Sequence, residues 1–410
     1  MDLTSGTPLW PTVDGLPAVY PPLHRDHRCD LAIIGGGITG ALVAHRFALA
    51  GISTVLLEAD EIARGSTAAS TALIQYEADT HLVDLIERIG ADHAVRSYRL
   101  CVEAVRGIGV LAEEPDGRGS AGLASAGCGW RSIGSLYLAS RRGDRAVLAR
   151  EQAARRSAGI EVELLDERDI RSRFSFSRPA ALLSPLAGEV DAFLLTHKLL
   201  AAAIQKGLRV YDRTRVTGYD TKRGGVELRT VGGARVRARR VVFATGYETP
   251  EFLNRKIVRL QSTFALATAS VERFDGWGEH RCLIWETARP YFYARTTADG
   301  RVVMGGADRP FATAHSRHRL LARQTAVLER QFAGLFPAIP CDVDWRWGGT
   351  FGETRDGLPY IGTVRQFPHG YFALGYGGNG ITFGWIAANL LLDRFLERRN
   401  PDGELFAFDR

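Results

Sequence analysis

Two groups of residues in this 410-residue chain have the types and the spacing to do chemistry. The first is a glycine triplet with a distant acid. Gly35, Gly37 and Gly40 form G-x-G-x-x-G, and Glu58 follows the last of them by roughly 20 residues. Gly35 permits a tight turn, Gly37 lets a pyrophosphate approach the backbone, and Gly40 lets a helix pack closely on the strands. The N–H groups of the helix's first turn, at Ile38 and Thr39, are expected to face the phosphates. Glu58, with Ala59 beside it, is placed to accept hydrogen bonds from ribose hydroxyls. The second group is aromatic. Tyr291, Tyr293 and Arg295 alternate, so on a strand all three share one face. Trp285, Trp345 and Trp347 are candidates to wall an apolar or cationic pocket, where an amine gains cation–π attraction, although core packing is the commoner role of any single aromatic. Arg295 is either a clamp for a substrate carboxylate or an outward-facing surface residue.

The elements around these residues follow from pattern. Ala32 to Ile34 form a buried strand, an Ala- and Leu-rich helix runs to Gly51, and a second strand, Thr54 to Leu57, ends on Glu58. Ala63 to Ser70, ARGSTAAS, is small and polar and suits a loop laid over a cofactor. Thr80 to Leu111 has helical spacing, Asp116 to Gly129 reads as a connection, and Ser132 to Ser140 is strand-like. Helices are expected over Asp144 to Ala158, Asp166 to Phe174 and Asp191 to Lys206. Short strands follow at Leu208 to Tyr211, Gly225 to Val231, Arg235 to Arg237 and Arg240 to Ala244, the last running into Thr245 and Gly246. A second strand-rich set lies at Gln261 to Ser270, Arg281 to Thr287, Tyr291 to Thr296 and Val302 to Gly305. Then come a helix, Gln324 to Phe336, and a strand, Asp342 to Thr350. A strand at Tyr371 to Leu374, a tight turn at Gly375 to Gly380 and a closing helix, Ile381 to Leu396, end the chain. A glycine-rich turn opening an apolar helix is itself an anion site.

The bulk numbers narrow the class. The length exceeds one ordinary core, so two domains are expected. An apolar content of 45% with 24% charged residues is that of a soluble globular protein. The net charge of +6 carries little weight, because the chain has only four lysines and its arginines are spread from end to end rather than clustered for nucleic acid. The five cysteines are far apart and without metal-ligand spacing, so reduced core cysteines, a cytoplasmic setting and no metal are expected. The proline-rich start is expected to be an extended arm, not a signal peptide, and no apolar run reaches the ~20 residues of a membrane span.

Taken together, DLAIIGGGITG with Glu58, ARGSTAAS, VVFATGYE (Val241 to Glu248), DGLPYIG (Asp356 to Gly362) and GYGGNGI resemble the D-amino-acid oxidase and glycine or sarcosine oxidase family of FAD-dependent oxidoreductases. The resemblance covers Asp30 to about Phe395, and within it WGGTFG (Trp347 to Gly352) looks closer to branches resembling gamma-glutamylputrescine oxidase. It implies an α/β fold in which a Rossmann-like FAD-binding domain interleaves with an α+β substrate domain on a mostly antiparallel sheet. The expected boundaries are an arm at 1–28, an FAD domain at 29–120 with 185–260 and 352–410, and a substrate domain at 121–184 with 261–351. It also implies that Arg64, Ser66, Thr67 and Ser70 pass beside the FAD pyrophosphate and flavin. Val216 would offer backbone groups to the adenine, with Ala244, Thr245 and Gly246 also at the cofactor. Gly377, Gly378, Asn379, Gly380, Ile381 and Thr382 would lie at the pyrimidine end of the flavin.

The implied reaction removes a hydride from a carbon bearing nitrogen, in a small-molecule amine or amino acid, with O₂ or another electron acceptor. Two departures bear on it. The position of the family's carboxylate-clamping arginine falls on Phe351, with Arg355 displaced. The lysine that related oxidases hold over the flavin is also missing, since no lysine follows Lys256 and Arg301 is the nearest substitute. No cysteine lies between Trp347 and Gly352, so FAD is expected to be non-covalent. The alternatives are a flavin dehydrogenase of a 2-hydroxy acid or polyol phosphate, and a non-catalytic flavoprotein or assembly subunit.

Overall fold

The strand His27–Ile34 lies at the centre of a parallel ladder because its inner half is apolar on both faces. Leu31, Ala32 and Ile33 are fully buried, as a strand covered from both sides requires. In this computed structural model, which describes residues 2–114, 127–251, 253, 257–278 and 280–410, it pairs in parallel with Thr54–Leu57 and with Arg235–Phe243. Arg209–Tyr211 and Gly370–Leu374 extend the ladder in parallel. Tyr360–Gly362 closes one edge antiparallel, and a hairpin, Val216–Lys222 with Gly225–Thr230, pairs onto the first half of Arg235–Phe243. Alternate residues serve alternate layers. Leu31, Ile33 and Leu56 pack with helices Ile38–Leu49, Ala192–Gln205 and Gly380–Phe395, while Ala32, Val55 and Leu57 pack beneath the hairpin.

A second sheet of ten strands runs in the order Thr4–Gly6, Val343–Glu353, Arg259–Thr268, Val302–Pro310, Phe292–Thr296, Leu283–Glu286, Arg131–Leu138, Ala180–Glu189, Leu73–Ile74, with Glu163–Asp166 also on Ala180–Glu189. Every pairing in it is antiparallel except Arg131–Leu138 with Leu283–Glu286. Helix Ala314–Leu335 covers its outer face, burying Leu328 and Phe332 against Leu266, Phe292 and Met304. The expected α/β fold, with a parallel nucleotide sheet and a mostly antiparallel second sheet, is the one observed.

Several elements differ from expectation for local physical reasons. The stretch Thr80 to Leu111 is two helices, Leu82–Ile89 and Ala91–Glu113, broken at Gly90, whose φ of 84° no helix interior allows. The cofactor loop contains a short helix, Ser66–Ala69. The strand Ala180–Glu189 was hidden by Pro185, which a β-bulge opposite Ile133 and Ser135 accommodates. Helix Ala314–Leu335 starts well before Gln324, at a capping box between Thr313 and Ser316. The sequence boundary at 184/185 falls inside a strand, and the connection at Asp116 to Gly129 lies mostly outside the described residues. The arm is not merely extended: it holds the strand Thr4–Gly6 and the helix Leu9–Val13. Among the described residues no helix is long and apolar enough to cross a membrane.

Candidate active site

A cavity of about 470 Å³ lies between the carboxyl ends of the parallel strands and the inner face of the antiparallel sheet, where open α/β sheets bind their ligands. Gly35, Gly37, Ile38, Thr39, Glu58 and Ala59 line its nucleotide side. Gly40 does not line it, because it serves packing: a Cβ there would lie 2.0 Å from Gly35 O. Gly35 has φ 110°, and a Cβ on it would lie 2.4 Å from Ala244 O, so neither position admits a side chain. The Glu58 carboxylate accepts the Gly36 N–H (2.6 Å) and the Asp60 N–H (2.9 Å), and its burial pushes the carboxyl up from its ordinary range.

Arg64, Ser66, Thr67 and Ser70 form the next stretch of wall, opposite Ala244, Thr245 and Gly246. Thr67 Oγ1 accepts the Ile38 N–H at 3.0 Å, so loop and helix start are joined. At the far end Gly377, Gly378, Asn379, Gly380 and Ile381 line the cavity. Asn379 Nδ2 donates to Glu77 O at 2.7 Å and Thr382 Oγ1 donates to Gln75 O at 3.0 Å. Thr382 thus lies off the lining but holds a segment, Gln75 to Asp79, that contributes to it.

Beyond the nucleotide side the wall becomes aromatic and acidic. Tyr291 and Tyr293 lie with ring centroids 5.7 Å apart. Trp285 stacks on Tyr137 at 3.8 Å and donates its indole N–H to Ser135 Oγ. Phe351 completes the apolar surface. Two carboxylates face the same space. Asp79 accepts the Gly378 N–H (3.0 Å) and lies 3.4 Å from the Tyr291 hydroxyl, whereas Asp308 keeps a buried Oδ1 without a partner. Burial, then Asp79 and Asp308, keep the Tyr291 phenol well above its ordinary pKa, so it remains a neutral donor.

A family model described as FAD dependent oxidoreductase matches residues 30–394. The chain belongs to that family. Gamma-glutamylputrescine oxidoreductase of Escherichia coli (strain K12) is 26% identical over 392 residues, covering 92% of this chain and 85% of that protein. Glycine oxidase of Geobacillus kaustophilus is 25% identical over 399 residues, covering 93% and 96%. The crystal structure of the latter enzyme superposes with a TM-score of 0.75 at 21% identity, covering 92% of this chain and 96% of that one.

FAD is therefore the cofactor, and the cavity fits it on its own terms. Ser66 Oγ is buried on the lining with no protein partner, the glycine cradle excludes side chains, and Glu58 retains lone pairs for ribose hydroxyls. None of the five cysteines lines the cavity.

Five further candidate residues lie off the cavity lining. Arg295 does share the face of Tyr293, but further along the strand, where it is 1% exposed. It donates to Thr71 O (2.6 Å), Val190 O (2.8 Å) and Thr296 O (3.1 Å) beside Glu189. It is neither a clamp nor a surface residue; it pins the loop that lines the cavity. Val216 sits in the hairpin, paired with Thr230 and off the lining. Trp347 is buried and donates to Ala69 O, while Trp345 lies under the Arg301 guanidinium at 4.5 Å; neither lines the cavity. Arg301, bound to Asp299 and to Thr268 O, also lies off the lining and supplies no charge there.

Sequence reading missed Asp79, Asp308 and the arm residues Asp2, Leu3 and Thr4, which also line the cavity. The signal for Asp308 was present in GGAD, an acid one residue beyond a glycine pair inside a strand pattern, which marks a bulge.

Proposed function

We propose that this flavoenzyme oxidises the C–N bond of an amine that carries no carboxylate on the reacting carbon. A hydride leaves the carbon bearing nitrogen, and water hydrolyses the resulting imine to a carbonyl compound. Bound FAD supplies the two-electron acceptor, and the chain supplies position, desolvation and charge. One observation carries the reading: among the described residues the only basic side chain on the cavity lining is Arg64, which belongs to the cofactor loop, while the aromatic end presents Asp79 and Asp308. An amino-acid substrate needs a cation for its carboxylate, and a polyol phosphate needs one even more. An ammonium group is matched instead by carboxylates and aromatic faces. Arg289 stands outside, over the Tyr291 ring at 4.8 Å, with its Nη1 donating to Glu286 O and Ala288 O.

The same charge balance bears on the electron acceptor. A cation near the flavin favours electron transfer to O₂ by stabilising the anion formed, and among the described residues this lining offers none at its aromatic end. We therefore read the enzyme as a dehydrogenase that reoxidises slowly in air. Anaerobic titration of the yellow holoenzyme with n-butylamine, 1,4-diaminobutane, glycine, D-alanine and glycerol 3-phosphate tests both points. The amines are expected to bleach the flavin, and a soluble quinone to restore the colour faster than air. Bleaching by glycine or D-alanine but by neither amine would overturn the substrate reading.

A further inference from the structure

The strand Val302–Pro310 changes face partway along. Val302 and Met304 point into the core beneath helix Ala314–Leu335, and strict alternation would send Asp308 there too. It does not go there, because two residues, Ala307 and Asp308, stand opposite Thr263 alone: Ser262 pairs with Arg309 and Phe264 with Gly306. This bulge, with Ala307 at φ 53°, puts the Ala307 methyl into the core and turns Asp308 onto the cavity face with Tyr293. A left-handed alanine and a broken ladder are costly features, and here they bring one carboxylate to the cavity. Thr263 hydrogen-bonds that carboxylate, yet Oδ1 is buried and unpartnered.

Resting on the amine reading above, we propose that Asp308 is a catalytic residue that takes the proton of the incoming substrate ammonium. An alkyl amine arrives protonated, because its conjugate acid resembles a lysine side chain with a pKa of ~10. In that form its nitrogen has no lone pair to form the C=N bond as the hydride departs. Transfer of one N–H proton to Asp308 Oδ1 converts ammonium and carboxylate into neutral amine and carboxylic acid. Bound FAD would accept the C–H electron pair as hydride while the nitrogen lone pair closed the C=N bond, and water would hydrolyse the protonated imine to a carbonyl compound and ammonium.

The surroundings suit this role. Burial first, then Asp79 and Glu353, push Asp308 up to about 6 against the opposing Thr263 hydrogen bond and, less strongly, Arg289. It is thus a stronger base than an exposed aspartate, yet still ionised near neutrality. Tyr291 and Tyr293 stay neutral, so no phenolate competes for the proton. Asp79 is already engaged by Gly378 N–H and Tyr291.

The test is the pH dependence of anaerobic flavin bleaching by n-butylamine and 1,4-diaminobutane, with calorimetric proton counting. Wild-type bleaching should rise through an inflection near 6, and Asp308→Asn should lose that inflection and slow roughly hundredfold near neutral pH. Asp308→Glu should keep an inflection, and Asp79→Asn should keep it too, moved to lower pH because the Asp79 charge that helps raise Asp308 is gone. Binding measured in two buffers of different ionisation enthalpy should release about one proton near pH 5 and about none near pH 8 in the wild type, and lose that difference in Asp308→Asn. Thermal melts show whether each variant folds, and Asp308→Glu carries the test if the asparagine variant does not. An inflection that survives in folded Asp308→Asn would overturn the role of Asp308 while leaving the amine reading intact. Absence of bleaching by either amine would remove both.

Discussion

Glu58 has one function in the structure, and we propose a second, holding the FAD ribose. Its two oxygens already accept N–H groups from Gly36 and Asp60, so it braces the glycine turn before any ribose arrives. Glu58→Ala is expected to weaken FAD binding by about 1–3 kcal/mol, read from the fluorescence of FAD released on dilution. It should also lower the melting temperature of the apoprotein, because the Gly36 N–H loses its acceptor. Glu58→Gln keeps an oxygen for Gly36 and should affect the apoprotein less. Equal FAD affinity in all three proteins would show that Glu58 supports the turn and nothing more. Arg295 is the opposite case, a buried cation with no ligand role of its own. Its guanidinium holds three carbonyls, including that of the cavity residue Thr71, and balances Glu189. Arg295→Met should destabilise the fold by about 3–5 kcal/mol, since it leaves a buried carboxylate with Arg131 as its remaining ion pair. Arg295→Lys should recover little, because a point charge cannot serve three diverging acceptors. Denaturant midpoints decide between these outcomes.

Among the elements, those that the chain specifies locally were legible and those specified by a partner were not. The run from Leu31 to Glu58 carries its own strand, turn, helix and acid, and the structure places each as read. The aromatic strand was also legible, because Tyr293 and Arg295 alternate whatever they face. How far Arg295 lies from the cavity depends on Val190 and Thr71, which sequence spacing does not reveal. The bulge at Ala307 and Asp308 exists only relative to Thr263 on another strand, so a reading that ended the strand at Gly305 lost the acid beyond it. The arm was missed in the same way. Thr4–Gly6 pairs with Val343–Glu353, and Arg317, 1% exposed, donates to Asp2 O, Thr4 O and Ser5 Oγ on one side and to Thr350 Oγ1 on the other. Deleting residues 2–8 should remove a wall of the cavity and leave Arg317 short of acceptors. The deletion and Arg317→Met should therefore cost less together than the sum of their separate costs in denaturant midpoint, as for residues of one network. Strict additivity would mean that arm and arginine act independently.

Across the whole molecule the arm is one of several pieces that join the two sheets, and its second attachment is sensitive to pH. After leaving the antiparallel sheet it runs through helix Leu9–Val13, where Trp10 is buried and donates to Ser70 O. Asp14 follows at the end of that helix, against Asp191. Asp191 caps helix Ala192–Gln205 by accepting from Phe193 and Leu194 N–H, and a helix start favours negative charge there. The shared proton therefore belongs on Asp14, which donates to Asp191. Burial first, then Asp191, push Asp14 from 3.8 up to about 8. The sign follows from the proton count. Between those values the folded chain keeps a proton that the unfolded chain has released, so stability falls as pH rises. This contribution is complete below the ordinary value of 3.8 and is lost as pH passes through about 8. Asp14→Asn keeps a donor for Asp191 without a titrating group, so its melting temperature should decline less than that of the wild type between about pH 5 and about pH 9. Trp10 lies on the same arm, so the extra wild-type loss should appear in tryptophan emission as well as in the global melt. Parallel pH profiles for the two proteins would show that Asp14 and Asp191 do not share a proton in solution, and that the arm is held by its other contacts, the pairing of Thr4–Gly6, Arg317 and Trp10 among them.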